Sequence, residues 1–378
     1  MSTLVPLLAG FAGLSLASHI ASHVLALTRL RRLPRDAGHQ RVWPPVSLVR
    51  PLCGIEEFSG QTLEASFHLT YPEVELIFCV AQAHDPVAPL VRAAMARHPG
   101  VRARLLVGGG MVSGNPKLDN MEKGYRAAEG EYVVFTDSNL LIPPDYLHHV
   151  VSAFTQDSAV VSAPPYGSAP GSFAAEIECG LLNAYAARVQ YCVDALGYGF
   201  AQGKTLAFRK TDLDAGGFDA MALEPAEDAA ATKWARAQGR KVRLVTPMAP
   251  QPLGQRTFAA VWSRHLRWAR LRRATFPLLF APEIFSSALA PFAALGMMGW
   301  LAGGAVLPWV AAYAFVWYGA DLAATRLAGW PLSWRTLAAL PCRDALLAAI
   351  WCAAWSGRGF VWHGHAMQAA PLRPDAQS

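Results

Sequence analysis

The chain has 378 residues, of which 53% are hydrophobic and only 16% are charged. An ordinary soluble domain carries roughly 25% charged residues, so the composition excludes a disordered protein and argues against a wholly soluble one. The net charge of +6 would suit nucleic acid, anionic lipid or a phosphorylated substrate, and the many arginines beside apolar runs favour a membrane surface. The six cysteines form no CxxC pair or Cys/His cluster, so no zinc site is predicted.

The first segment, residues 1–28, is predicted to be a transmembrane anchor. Leu4–Leu27 is apolar and long enough to cross a bilayer, which takes about 20 such residues. A cleaved signal peptide would carry its basic residues before the apolar run, whereas here they follow it. These basic residues place this end of the helix in the cytoplasm, and they are Arg29, Arg31, Arg32 and Arg35.

Residues 45–275 are predicted to form a cytosolic α/β domain. Short β-rich runs alternate with helix-like stretches, which predicts a mostly parallel sheet with helices on both faces and ligands beyond the carboxyl ends of the strands. The predicted strands are Val46–Leu52, Val74–Val80, Ala103–Gly109, Tyr132–Asp137, Ala159–Pro164 and Lys241–Pro247. The predicted helices include Val87–Arg97, Asp119–Ala128 and Tyr146–Phe154.

Residues 276–378 are predicted to be a membrane region with two spans and a third segment that is re-entrant or interfacial. The spans are Ile284–Val306 and Leu307–Leu322, with a break near Pro308. Ala345–Trp355 is too short to count as a span and forms the third segment. Tryptophans near the ends of these runs are typical of membrane interfaces.

Two aspartates follow predicted strands, where ligand sites are expected. Asp137 begins the sequence Asp-Ser-Asn, which ends at Asn139. Its carboxylate suits a divalent ion on a diphosphate, although such residues often cap the next helix. Asp85 precedes Pro86 and either forms an Asp-Pro turn or faces the base or ribose of a nucleotide.

An acidic pair, Glu227 and Asp228, stands at a predicted helix start. Acidic residues there suit the helix dipole, which is a sufficient structural explanation. Alternatively, Asp228 serves as a general base that accepts the proton of an attacking hydroxyl.

A basic amphipathic helix is predicted over Trp262–Arg273, where arginines alternate with tryptophan and leucine. Such a helix can lie on anionic lipid, or one or two of its arginines can clamp a leaving diphosphate. Lys117, Asn120 and Gly203 are further candidate donor-binding residues. Gly203 and Lys204 lack the upstream glycine of a P-loop, and no nucleic-acid-binding module is present.

The order of these motifs resembles that of inverting glycosyltransferases with the GT-A fold, in which three aspartates precede a (Q/R)xxRW sequence. More closely, the chain from about Val46 to Glu283, with its flanking membrane segments, is similar to the ceramide glucosyltransferase family. The segments that carry the resemblance are Val49–Glu56, Asn115–Asn120, Asp137–Asn139, Ala226–Lys233 and Arg264–Trp268.

The resemblance implies a nucleotide-diphospho-sugar transferase fold and a role for each matched residue. Asp85 would contact the uridine of a UDP-sugar, with Lys117 nearby. Asp137 would engage the ribose and diphosphate and hold Mg²⁺ or Mn²⁺. Asn139 replaces the second acid of a DxD motif, which predicts weaker metal binding or a water in that ligand position. Asp228 would be the catalytic base.

The same resemblance implies that Arg264 and Arg267 stabilise the departing diphosphate and that Trp268 packs where acceptor and sugar meet. Arg264 stands where many processive relatives have glutamine, as in the ceramide branch. The implied reaction moves glucose from UDP-glucose to the primary hydroxyl of ceramide and gives a β-glycoside. The implied location is the cell (inner) membrane, with the catalytic domain on the cytoplasmic face and no nucleic-acid partner.

Other functions stay open. A hopanoid-polyol N-acetylglucosaminyltransferase or a diacylglycerol glucosyltransferase would keep the mechanism and change the acceptor. A processive polysaccharide synthase would need more spans. A non-enzymatic membrane scaffold would make Asp85, Asp137 and Asp228 replaceable.

Overall fold

The computed structural model describes residues 3–32, 42–109, 115–357, 359–362 and 365–368. Arg35 of the predicted basic cluster lies outside these residues. The described strands are β1 (Val46–Leu52), β2 (Val74–Val80), β3 (Ala103–Val107), β4 (Tyr132–Thr136), β5 (Ser158–Ser162), β6 (Tyr166–Pro170), β7 (Thr205–Arg209), β8 (Lys241–Leu244), β9 (Pro250–Gly254), β10 (Gly359–Trp362) and β11 (His365–Gln368).

Side-chain caps mark the starts of some helices, and the helix predicted to begin at Asp119 begins earlier, at Pro116. Asn115 accepts a hydrogen bond from Lys117 N at 3.0 Å before one helix, and Thr257 accepts from Ala260 N at 3.2 Å before another. The described α-helices are α1 (Leu4–Leu30), α2 (Ser59–Glu64), α3 (Val87–Arg97), α4 (Pro116–Ala127), α5 (Tyr146–Ser152), α6 (Phe173–Gly180), α7 (Arg188–Ala195), α8 (Lys210–Asp212), α9 (Phe218–Met221), α10 (Glu227–Ala237), α11 (Phe258–Thr275), α12 (Pro277–Phe280), α13 (Leu289–Leu301), α14 (Val306–Leu327) and α15 (Trp334–Trp355).

A seven-stranded sheet in the order β3-β2-β1-β4-β7-β5-β8 is the centre of the α/β part. All neighbouring strands are parallel except β7, which runs antiparallel to β4 and β5. Successive side chains of β1 enter opposite cores, Leu48 with α3 and α5 and Val49 with α4 and α10. Burial on both faces explains the nearly continuous apolar runs, and the predicted mostly parallel sheet is confirmed.

Strand β7 of the central sheet is absent from the predicted strands, as are β6, β9, β10 and β11. Its apolar stretch, Leu206–Phe208, has three residues and lies between the charged Lys204 and Arg209. The predicted ends of β1 and β2 are confirmed, whereas those of β3, β4, β5 and β8 lie one to three residues beyond the observed ends.

The described chain divides into two compact units. The sheet unit comprises Leu30–Tyr166 and Val193–Pro252. The helical unit comprises the described residues up to Arg29, those of Gly167–Cys192 and those from Leu253 to Gln368. Each unit combines segments that are distant in the chain, whereas the predicted domains are the continuous ranges 1–28, 45–275 and 276–378. Which of these ranges lie in the membrane stays a prediction.

Three helices of the helical unit are long and apolar enough to cross a membrane, namely α1, α14 and α15. A fourth span is formed if Pro277–Ser286 and Leu289–Leu301, which bend by 55°, are counted together. The break before α14 falls at residues 302–305, so Pro308 lies inside the first turn of α14. Ala345–Trp355 is the second half of the 22-residue α15.

Buried charges connect the apolar helices of this unit. Asp321 of α14 lies 2.8 Å from the ring Nε2 of His23 in α1 and 2.9 Å from Nη2 of Arg343 in α15. Arg343 also lies 2.8 Å from Asp344 Oδ1. Because Arg343 and Asp344 satisfy each other inside the helix, α15 starts eleven residues before the apolar run that the sequence shows.

Candidate active site

The turn after β4 carries Asp137 and is held by a buried arginine. Arg50, in the middle of β1, has 1% of its surface exposed. Its guanidinium donates to the backbone oxygens of Asp137 at 2.9 Å and Ser138 at 3.0 Å, and also to Thr62 O and Ser66 Oγ. Burial lowers the pKa of Arg50 to about 10, so it remains a cation at neutral pH. Arg50 therefore fixes the backbone from which the Asp137 side chain extends.

Two lysines neutralise the Asp137 carboxylate. Lys117, in the first turn of α4, lies with Nζ 2.8 Å from Oδ1, and Lys204, just before β7, lies with Nζ 2.9 Å from Oδ2. Burial alone would raise the pKa of this carboxyl group, but the two ammonium groups outweigh it and lower the pKa of Asp137 to about 2. Asp137 is therefore ionised throughout the physiological range.

Asp228 lies in the first turn of α10, where backbone amides hold it. Gly203 N donates to Oδ2 at 2.9 Å, and Ala229 N donates to Oδ1 at 2.8 Å. Burial, followed by the negative charge of the adjacent Glu227, raises the pKa of Asp228 to about 6. A carboxylate with such a pKa is an effective proton acceptor near neutral pH.

Gly203 joins Asp228 to the lysine cluster. Its carbonyl accepts from Lys117 Nζ at 2.8 Å, and the same ammonium lies 2.6 Å from Glu227 Oε1. A Cβ atom at position 203 would lie 2.9 Å from Glu227 Oε1 and 3.4 Å from Asp228 Oδ2. Only glycine lets the acidic pair and Lys117 approach this closely.

Asp85 occupies a structural position at the end of β2. Its carboxylate accepts from Gly54 N at 3.1 Å and from Val87 N at 2.9 Å, and so ties the loop after β1 to the start of α3. The contacts of Lys117 are with the Asp137 cluster rather than with Asp85, beside which the resemblance placed it. Asn120 is buried in α4, three residues after Lys117.

Asp137 and Asn139 offer the hard oxygen ligands that Mg²⁺ and Mn²⁺ take. In this structure, both oxygens converge on one cation, the ammonium group of Lys204, which lies 2.9 Å from Asp137 Oδ2 and 3.0 Å from Asn139 Oδ1. The two side-chain oxygens are therefore suitable ligands for a cation, and both point toward the same position. A divalent ion between the two oxygens would take the place that Lys204 Nζ holds.

The (Q/R)xxRW residues lie on α11, in the helical unit. Arg264 Nη1 donates to Glu178 Oε1 at 2.8 Å, and Glu178 of α6 has 0% of its surface exposed. Burial would raise the pKa of Glu178, but contact with His265 and the arginine charges outweighs it and lowers the pKa to about 2. Trp268 packs against an apolar cluster from α6 and its neighbours, while Arg267 is half-buried on the same helix.

Other arginines of α11 bind acceptors within the helical unit. Arg272 makes two 2.8 Å bonds to the carboxylate of Glu283. Arg273 donates to Gly357 O at 2.8 Å. Some arginines of the helix that was predicted to lie on anionic lipid therefore bind other residues of the protein.

Comparison with known proteins shows the family of this chain. A family model described as Glycosyl transferase family 21 matches residues 14–373, which is most of the chain. The chain belongs to this family. The resemblance to ceramide glucosyltransferases that the sequence motifs predict is thereby confirmed at the level of the family.

Two relatives from Caenorhabditis elegans illustrate the similarity. Ceramide glucosyltransferase 1 is 29% identical over 284 residues, which cover 72% of this chain and 61% of that protein. Ceramide glucosyltransferase 3 is 25% identical over 307 residues, which cover 79% of this chain and 66% of that protein. The matched part of the chain spans less than two thirds of the length of either relative.

A solved structure shares the fold. The mannosyltransferase PcManGT from Pyrobaculum calidifontis, determined in complex with GDP-Man and Mn²⁺, superposes with a TM-score of 0.53 at 20% sequence identity. The superposition covers 92% of this chain and 98% of that one. The predicted GT-A fold of this glycosyl transferase family 21 member is confirmed.

Sequence reasoning did not assign a role to three residues that shape these sites. Arg50 and Glu178 are charged residues among mostly apolar neighbours. This pattern indicates that each has a buried partner, but the sequence does not show which residue that partner is. Lys204 was visible only as half of a Gly-Lys pair. Its bond to Asp137, 67 residues away, comes from the antiparallel pairing of β7 with β4.

Proposed function

We propose that this protein transfers glucose from UDP-glucose to the primary hydroxyl of ceramide, with inversion at the anomeric carbon. One observation carries the proposal. In a member of glycosyl transferase family 21, Asp228 has a pKa raised to about 6 and shares one cluster with Asp137 and two lysines. Such a cluster combines a proton acceptor with the cations that a nucleotide diphosphate requires.

The donor would bind at the carboxyl end of β4. Lys117 and Lys204 would offer ammonium groups to the diphosphate, and the carboxylates around them keep the site from accumulating positive charge before the donor arrives. Asp85 would contact the uridine, and Asn120 and Gly203 would line the donor site. Asp137 and Asn139 would hold Mg²⁺ or Mn²⁺ in place of the Lys204 ammonium, and the ion supplies positive charge beside the diphosphate when bound.

The chemical step would be a single displacement. A lipid hydroxyl is barely ionised at neutral pH, so Asp228 would accept its proton as the oxygen attacks the anomeric carbon. The new carbon–oxygen bond forms as the bond to the UDP oxygen breaks, and UDP leaves with the electron pair. Attack from the side opposite UDP converts an α-linked donor into a β-glycoside.

The charge that develops on UDP would be stabilised by Arg264 and Arg267, and Trp268 would pack where acceptor and sugar meet. Preorganised charges of this kind often lower a barrier by several kcal/mol. Glu178 holds the Arg264 guanidinium in one orientation, which keeps the side chain ordered before the donor binds.

Membrane association agrees with a lipid acceptor. The three candidate spans and the ceramide glucosyltransferase relatives support an integral membrane protein. We propose the cell inner membrane as its location, with the sheet unit in the cytoplasm, where nucleotide sugars are made.

The acceptor and donor can be tested together. Purified membranes that contain the protein would be incubated with UDP-[¹⁴C]glucose and ceramide or diacylglycerol, and with labelled UDP-N-acetylglucosamine and a hopanoid polyol. We expect a labelled glycolipid that depends on ceramide. Transfer only to the hopanoid polyol or only to diacylglycerol would reassign the acceptor, and no product with any pair would favour a non-enzymatic scaffold.

A further inference from the structure

Lys204 is tied to the Asp137 turn by both its backbone and its side chain. Lys204 O accepts a hydrogen bond from Asp137 N at 2.9 Å, while Lys204 Nζ donates to Asp137 Oδ2 at 2.9 Å and to Asn139 Oδ1 at 3.0 Å. Its side chain is only 12% exposed. The ammonium therefore has a fixed position between the two oxygens that would ligate a metal.

A divalent ion and this ammonium cannot occupy that position together. An octahedral Mg²⁺ ion lies about 2.0–2.1 Å from its oxygen ligands, so an ion shared by Asp137 and Asn139 would overlap Lys204 Nζ. Charge adds to the steric conflict, because Lys117 and Lys204 already balance the charges of Asp137 and Glu227.

We propose that Lys204 is a built-in cation of the donor site, and that its ammonium and a divalent ion are alternative occupants of the position between Asp137 and Asn139. With Lys204 in place, the diphosphate is bound through ammonium groups without need of a metal. The binding of the diphosphate by Lys204 rests on the proposed nucleotide-sugar donor. The competition between Lys204 and a divalent ion does not depend on that donor.

Lys117 does not share this role, although it also contacts Asp137. Its ammonium lies on the other carboxylate oxygen, Oδ1, and is held by Glu227 Oε1 at 2.6 Å and Gly203 O at 2.8 Å. Lys117 therefore stays in place whichever cation lies between Asp137 and Asn139.

The competition between Lys204 and a divalent ion is tested by Mn²⁺ binding to the protein in detergent, without nucleotide, measured by electron paramagnetic resonance. Lys204→Ala and Lys204→Met are each expected to bind Mn²⁺ at least about tenfold more tightly than wild type, because a charge-assisted contact no longer holds the two oxygens. The gain is expected to disappear when Asn139→Ala is combined with either change, since the position needs both oxygens.

Two results would overturn the competition. One is an Mn²⁺ affinity of the folded Lys204 variants within threefold of wild type. The other is an equal gain with and without Asn139, which would reduce the effect to general electrostatics. Thermal unfolding identifies variants that fail to fold, and Lys241→Ala removes a half-exposed lysine that pairs with Asp157 as a matched control.

The role of Lys204 toward the diphosphate is tested by isothermal titration with UDP in EDTA. Wild type is expected to retain its affinity within about threefold of the value in Mg²⁺, whereas Lys204→Ala should lose about tenfold or more and recover it with Mn²⁺. A tenfold loss by wild type in EDTA would refute this role. Both titrations measure binding alone, so failure of the proposed transfer reaction would be seen separately.

Discussion

At the scale of single residues, the acidic pair at the start of α10 divides into two roles. Glu227 forms an ion pair with Lys117 at 2.6 Å, whereas the Asp228 carboxylate accepts hydrogen bonds from backbone amides. Burial and the neighbouring charge therefore raise the pKa of Asp228, and it becomes the better proton acceptor. The sequence shows two adjacent acids but not this difference, because Lys117 and Gly203 come from distant parts of the chain.

The raised pKa predicts the pH dependence of the reaction. A general base must be deprotonated, so kcat/KM should be constant above the pKa of Asp228 and fall by about tenfold per pH unit below about pH 6. Glu227→Gln removes the like charge and should move this acid limb to lower pH. Glu224→Gln, in which the lost carboxylate pairs with Lys233, is the control and should leave the limb in place.

The pH–rate profiles of the three proteins check this prediction. If kcat/KM of Glu227→Gln falls at the same pH as that of the wild type, the fall is caused by the protonation of a group other than Asp228. The pH dependence would then no longer support Asp228 as the base.

Glu178 is predicted to act through Arg264. Glu178→Gln keeps the size of the side chain but removes its charge, and kcat should fall by about tenfold or more while KM for the donor changes little. Glu178→Asp should restore part of kcat because it restores the charge. Glu176→Gln, on the same helix and bonded to Ser333 Oγ at 2.6 Å, is the control and should retain kcat.

Steady-state kinetics with the lipid acceptor measure this split between kcat and KM. Equal losses of kcat in Glu178→Gln and Glu176→Gln would mean that α6 matters only for folding.

At the scale of elements, the sheet is the part that the sequence predicts best. A strand buried on both faces must be apolar along its length, so β1 and β2 can be recognised from their own residues. Arg50 and β7 show the limit of this reasoning. The five acceptors of Arg50 lie between 12 and 90 residues further along the chain, and no local pattern reveals them.

Arg50 is predicted to stabilise both the sheet unit and the Asp137 turn. Arg50→Met should lower the free energy of unfolding by about 3 kcal/mol or more, because buried carbonyl groups of the turn lose their donor. Thermal unfolding in detergent measures this loss. Arg92→Met, on the exposed face of α3, should change the stability by less than about 0.5 kcal/mol. Similar melting temperatures for both variants would contradict the role of Arg50.

At the scale of the whole molecule, an α/β unit and a unit of apolar helices occur in one chain. Composition predicts this combination, because polar residues are concentrated in the middle of the chain. The sequence could not show how α15 reaches its full length, because Arg343 and Asp344 interrupt the apolar pattern. They pair with each other, and their further partners, Asp321 and Ala288 N, lie outside the helix.

The charges among these helices are predicted to be essential for their packing. Arg343→Ala leaves Asp321 and Asp344 buried without their shared cation, which should cost about 3–5 kcal/mol. The melting temperature of the detergent-solubilised protein should fall by several degrees or more. Arg335→Ala, at the exposed start of α15, is the control and should melt with the wild type. A wild-type melting temperature for Arg343→Ala would show that this ion cluster adds no stability.

The proton-accepting role of Asp228 in lipid glycosylation is the central claim, and its most direct test is the rate of sugar transfer by Asp228→Asn. Asn is nearly isosteric but cannot accept the proton, so single-turnover transfer to ceramide should fall by about 10²–10⁴-fold while UDP binding is retained. Asp145→Asn, at an exposed position, is the control and should transfer at the wild-type rate. Transfer by Asp228→Asn at the rate of this control would contradict the account.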